Sequence, residues 1–266
     1  DVAGFGNLGA ALAGFVNIIG WPDRPPAGPA GAYSDYIAPR YIASAVLAAL
    51  DHRERHGQGQ HIDLAQLETA IHFLAPAVLD WEVNQRLATP EGNRSPDMAP
   101  HGVFACDGDD RWIALAVEDS RQWLALLDLI DSAATLPTTA PSWNLDDRKA
   151  HEDAIERAIE IWTRRHTAEE IQDALIARGI PAHVVSDAVD VAADPQLASR
   201  GHFVPVEHAE LGHVVVENSR FILSATPAVL RRAGPVYGEH NEFVLRDILG
   251  LNADEMADLV ASGALQ

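Results

Sequence analysis

The first 86 residues constrain the fold most, because they encode helices and almost no sheet. Residues 4–20 (GFGNLGAALAGFVNIIG) are small and apolar and predict a closely packed helix that ends at Gly20. A loop rich in Pro and Gly follows over 21–34, and then a helix runs from about Pro39, which suits a first helical turn, to near Gly57. The GQGQ of 57–60 is a turn, HIDLA over 61–65 reads as a short strand, and a second long helix covers roughly 65–86. Helices of this kind normally cover a parallel sheet. One short strand is not such a sheet, so an N-terminal part of the fold is expected to lie outside this sequence. The opening on Asp1 rather than Met fits a fragment or a processed chain, and no signal segment is visible.

Residues 88–102 carry no periodicity and read as a linker or an active-site loop. The texture then changes. VFAC at 103–106 and RWIALAV at 111–117 predict strands joined by an Asp/Gly turn, and helices follow at about 120–130, 146–164 and 167–178. Thr167 and Glu170 form a capping box for the last of these. AHVV returns as a strand, and one or two short helices surround Asp194-Pro195. Segments 203–207, 213–216 and 220–223 read as strands of an antiparallel piece, and 238–263 as two short helices broken near Gly250-Leu251-Asn252.

Charge and composition exclude several classes of function. The net charge of -20 argues against nucleic acid as a partner, since phosphate binding needs basic clusters. It leaves room for a small anionic ligand held by a few Arg side chains, and Lys149 is the only Lys. No run of 18 apolar residues predicts a membrane span. The single Cys, Cys106, allows no internal disulfide and suits a reducing cytoplasm.

Four local patterns invite a functional reading. Gly4 to Gly9 fits G-x-G-x-x-G, but no strand precedes it and no βαβ unit follows, so tight helix packing is the better explanation. Asp35, in GPAGAYSDYIAPRY, stands just before a helix, where the dipole favours a carboxylate; it is either an N-cap or a reactive acid walled by Tyr33, Tyr36 and nearby glycines. Twelve His residues are read as holding no metal: no pair is taken as H-x-x-x-H on a helix, and His61 with Asp63 supplies only two ligands. No Ser sits in G-x-S-x-G, so a hydrolase elbow is absent.

The patterns acquire a common meaning when read in order. Tyr33-Ser34-Asp35, the Leu47-Ala48-Ala49-Leu50 run with the basic stretch after it, and GQGQHIDLAQLE resemble the class III CoA-transferases, the CaiB/BaiF family that includes formyl-CoA transferase. Asn93-Arg94-Ser95-Pro96, Ala99-Pro100-His101-Gly102, Asp107-Gly108, Trp112-Ile113-Ala114, Asp194-Pro195, Arg200-Gly201 and Gly238-Glu239-His240 resemble its later signatures, in the same order. The resemblance implies an α/β fold: the C-terminal portion of a protein with a Rossmann-like large domain and a small α+β domain, built as an interlocked homodimer. Residues 1–85 would be a large-domain segment, 86–200 the linkers and small domain with a core at about 100–185, and 201–266 the return to the large domain.

The implied chemistry is CoA transfer between an acyl-CoA and a free carboxylic acid, with coenzyme A esters as substrates and no bound cofactor. Asp35 would be the nucleophile, passing through an aspartyl anhydride and an aspartyl-CoA thioester. Phe5, Gln66, His101 and Gly102 would contact the CoA ester, and the loop at 93–102 is a candidate lid. The implied partner is a second copy or an N-terminal CoA-binding half. Racemases of the same superfamily use a His–Asp pair, and here the matching context reads Ala3-Gly4-Phe5; Phe transfers no proton, which disfavours that alternative. A third expectation is a non-catalytic or incomplete subunit.

Overall fold

The computed structural model describes residues 4–130 and 135–265. It divides into two compact units, Asp1–Val185 and Ser186–Gln266.

The first unit opens with helices: α1 (Gly6–Ala13), α2 (Phe15–Ile18), α3 (Tyr33–His56), α4 (Gln66–Phe73) and α5 (Ala75–Asn84). Gly14, with φ 105°, separates α1 from α2, so the expected single helix over 4–20 is two. α3 begins at Tyr33, six residues ahead of the expected start. Pro39 therefore sits inside it, where its missing N–H leaves the carbonyl of Asp35 without a helical partner. Packing overrides that loss: Ile37 is buried with Ala10, Phe15 and Ala70 in a small core that draws α1, α2, α3 and α4 together. The predicted second long helix breaks at Leu74, because Pro76 in the next turn brings no N–H to continue the ladder. Residues 61–65, expected as a strand, pair with no strand among the described residues.

The same unit continues into a three-stranded antiparallel sheet, β1 (His101–Ala105), β2 (Trp112–Ala116) and β3 (Ala182–Val184), in the order β1-β2-β3. Val103 faces Ala114 across the first pair, and Ala114 faces His183 across the second. Ile113, Leu115 and Val117 alternate onto one face. There they meet Trp123 and Leu126 of α6 (Ser120–Leu127), Ile155 and Ile159 of α8 (Glu152–Thr163), and Ile171 and Leu175 of α9 (Ala168–Ile176). α7 (Leu145–Ala150) is separate from α8, since His151 leaves helical geometry at φ -117°. The capping box of Thr167 and Glu170 forms as expected. Burial of Cys106 pushes its thiol up to about 11.

The second unit holds α10 (Ala188–Ala193), α11 (Pro195–Ser199), an antiparallel hairpin of β4 (Phe203–His208) and β5 (Gly212–Glu217), a π-helical turn at Phe243–Ile248 and α12 (Ala253–Ala261). Residues 220–223 form no strand; Phe221, Ile222 and Leu223 are exposed and find no sheet edge among the described residues. Both sheets of the described residues are antiparallel. No helix among them is long and apolar enough to cross a membrane.

Ile159 is fully buried in the core of the sheet. Its replacement in Ile159→Ala is expected to cost about 2–5 kcal/mol in urea unfolding; a loss below about 1 kcal/mol would contradict this account of the core.

Candidate active site

Asp35 lies in the first turn of α3, where the helix dipole favours its negative charge. It is not the N-cap. That position is Ala32, and it makes no side-chain cap. The carboxylate is exposed, and its setting is made by three neighbours.

The first neighbour is α1. An added Cβ on Gly6 would run into the Ala32 side chain and stand 2.6 Å from Oδ1 of Asp35 and 2.7 Å from its Cγ. One on Gly9 would lie 2.8 Å from Oγ of Ser34. The glycine pattern thus serves close approach, and the backbone of α1 forms a wall directly against the carboxylate. The second neighbour is Gln66, the first residue of α4, whose side-chain Nε2 donates to Oδ1 of Asp35. The third is Ser34, fully buried, whose Oγ donates to the Gly6 carbonyl at 2.9 Å and accepts from Nε2 of Gln66 at 2.8 Å. Oδ2 of Asp35 accepts no hydrogen bond from any described residue. Chemically, this is a carboxylate on an exposed residue with one oxygen held and the other without a hydrogen-bond donor among the described residues.

Phe5 is the N-cap of α1, immediately before Gly6, and is 71% exposed. It therefore lies outside the core cluster of α1, α3 and α4. Asp35, Gln66 and Gly6 converge, and Ser34 joins them without having been singled out as a site residue from the sequence. A buried hydroxyl one residue before the acid leaves no trace in hydrophobic periodicity; the close α1–α3 approach coded by Gly6 and Gly9 was the available signal.

His101 and Gly102 stand elsewhere. They begin β1 and line a cavity of about 460 Å3 together with Trp21, Arg94, Trp112 and Glu156, and Asp35 is not among its walls. Nδ1 of His101 lies 2.5 Å from the Asn93 carbonyl. The loop read as a lid is tied down over its length. Arg94 bonds to Glu156 at 2.7 and 2.8 Å and to Asp153, Lys149 donates to the Ser95 carbonyl at 2.8 Å, and buried Arg148 donates to the Ala99 carbonyl at 2.7 Å. These partners push the Arg94 guanidinium well above its ordinary range, whereas burial lowers that of Arg148.

His52 and His56 correct the histidine reading. They form an H-x-x-x-H pair near the end of α3, with ring centroids 4.5 Å apart. Among the described residues no group of three or more ligating side chains could hold a metal ion.

The contact at Gly6 is directly testable. Gly6→Ala should force α1 away from α3 and cost about 1–3 kcal/mol in urea unfolding. Unchanged stability would show that the two helices are not packed as closely as this.

The chain is similar to known proteins over most of its length. The chain matches CoA-transferase family III over residues 1–241. It is 30% identical over 263 residues to the succinyl-CoA–D-citramalate CoA-transferase of Chloroflexus aurantiacus, a match that takes in 98% of this chain and 64% of that protein. It is 30% identical over 249 residues to the succinate–glutarate CoA-transferase of Agrobacterium fabrum, covering 93% of this chain and 61% of that one. The crystal structure of a CAIB/BAIF family protein from Brucella suis shares the fold, with a TM-score of 0.81 at 23% identity over 92% of this chain and 63% of that one. The chain thus spans about 64% of the length of the first of these relatives. With a match that extends from its first residue to residue 241, the chain belongs to CoA-transferase family III.

Proposed function

We propose that this chain carries the nucleophile of a CoA-transferase that moves CoA from an acyl-CoA donor to a free carboxylic acid, with Asp35 forming the covalent intermediates. The observation that carries the reading is the divided carboxylate: Gln66 holds Oδ1, and Oδ2 accepts no hydrogen bond from a described residue. A carboxylate oxygen without a hydrogen-bond donor keeps its lone pairs free and is the better nucleophile.

In the proposed cycle Oδ2 attacks the donor thioester carbonyl. The C–S bond breaks, CoA leaves as the thiolate, and an acyl-aspartyl anhydride remains. The thiolate then attacks Cγ of Asp35 and releases the donor acid, which gives an aspartyl-CoA thioester. An acceptor carboxylate attacks Cγ in turn and frees the thiolate again. Attack of that thiolate on the acceptor acyl carbon yields the new acyl-CoA and restores Asp35. One difficult exchange becomes four easier ones, none of which needs a bound cofactor.

Phe5, exposed beside Gly6, would wall the thioester from water, which matters because anhydrides hydrolyse. His101 and Gly102 are retained as CoA-ester contacts on the family resemblance. The remaining CoA contacts would come from a second copy or from an N-terminal CoA-binding half. Exposed apolar side chains on the helices, including Leu47 of α3 and Leu79 and Val83 of α5, support a covering partner. The two named relatives point to succinyl-CoA as the first donor to test and to small dicarboxylates as acceptors.

Asp35→Ala is expected to lower CoA transfer from succinyl-CoA to a dicarboxylate panel by about 10⁴-fold or more, with the unfolding midpoint little changed because the side chain is exposed. Transfer at the original rate in that variant would remove Asp35 from the reaction.

A further inference from the structure

We infer that Ser34 is a positioning residue: it fixes which end of the Gln66 amide faces Asp35, and so places an N–H donor on the oxygen that becomes negative in the two attacks on Cγ. The inference rests on the transfer reading above.

The argument starts from counting hydrogens. A serine hydroxyl has one, and here it goes to the Gly6 carbonyl at 2.9 Å. Whatever approaches Oγ from Gln66 must therefore be a donor. The amide end at 2.8 Å is the nitrogen, and its second hydrogen goes to Oδ1 of Asp35. A flipped amide would turn its carbonyl oxygen toward the Ser34 lone pairs and the Asp35 carboxylate together. Both contacts would be repulsive. Ser34 is fully buried, so no water can take its place as the acceptor.

This order matters most away from the ground state. When the CoA thiolate attacks Cγ of the anhydride, a C–S bond forms and the C=O pair moves onto Oδ1. Collapse breaks the bond from Cγ to the bridging oxygen, which leaves with the donor acid. When the acceptor carboxylate attacks the aspartyl thioester, the pair again moves onto Oδ1, and the C–S bond breaks. No proton changes hands in either attack. An N–H already aimed at Oδ1 stabilises both tetrahedral states more than the bound substrates, so its loss appears in kcat and not in KM. Ser34 touches no reacting atom: its bond to the Gly6 carbonyl holds α1, and its effect on the chemistry passes through Gln66.

The test is a double-mutant cycle in the complete transferase, with succinyl-CoA as the donor. Ser34→Ala is expected to lower kcat about 10- to 100-fold with KM within about twofold. Gln66→Ala should lose at least as much, and the double variant no more than Gln66→Ala alone. An equal loss from Ser34→Ala in both backgrounds would overturn the proposal, because a merely structural serine is additive. Gln66→Glu replaces the donor with an acceptor at an exposed position and should lose as much at neutral pH; retained kcat would also overturn it. The side-chain NH2 pair of Gln66 in a 1H–15N spectrum supplies a readout independent of turnover. Its resonances should move toward those of glutamines bonded only to water in Ser34→Ala, and unmoved resonances contradict the arrangement. Absence of CoA transfer in the unaltered protein would instead remove the transfer reading itself, so the two failures are distinguishable.

Discussion

Everything proposed for this chain depends on the close approach of α1 to the N-terminus of α3. Gly6 and Gly9 leave no side chain between the helices, and the buried Ser34 hydroxyl closes the gap by bonding to the Gly6 carbonyl. From that contact the rest follows in order. α4 joins through the small core around Ala10, Ile37 and Ala70, which brings Gln66 at its first position onto Ser34 and Asp35. Asp35 itself is left exposed on the rim. A well-packed wall thus carries a reactive group on its edge, which lets the carboxylate meet substrate without loosening the core beneath it.

The sheet and its helices are stabilised separately. Ile113, Leu115 and Val117 bury one strand face under α6, α8 and α9, and Trp123 adds a hydrogen bond from Nε1 to the Ala140 carbonyl at 2.8 Å. The loop leading into β1 is fastened by Arg94, Arg148 and Lys149 together with the full burial of Ala99 and Pro100. An anchored loop of this kind fixes where β1 starts, and with it the positions of His101 and Gly102. Those two residues and Asp35 belong to successive motifs of one ordered set yet line different places in the described chain.

Much of this was legible in the sequence, and the reasons differ by element. The strands β1 and β2 were readable as short apolar runs joined by an Asp/Gly turn, and the start of α9 from the Thr167 and Glu170 pair, because both signals are local. The start of α3 was misplaced because Pro39 suits a first turn, whereas the structure tolerates it one turn deeper in return for burying Ile37. Residues 61–65, which alternate, and 220–223, a short apolar run, both read as strands but meet no partner strand among the described residues, and pairing is something a single segment cannot encode. Asp35 stood out through an ordered set of motifs, not through its own surroundings. Ser34 was hidden, since its role arises only when Gly6, Gln66 and Asp35 are brought together across 28 to 32 positions of chain.

The central claim is that Asp35 becomes acylated, and trapping that intermediate tests it most directly. The chain, alone and with an N-terminal CoA-binding portion, would be incubated with succinyl-CoA and hydroxylamine and then mapped by peptide mass. The account predicts a hydroxamate on the peptide that contains Asp35, located at that residue by fragmentation. A hydroxamate on another carboxylate, or none under either condition while CoA transfer proceeds, would contradict it.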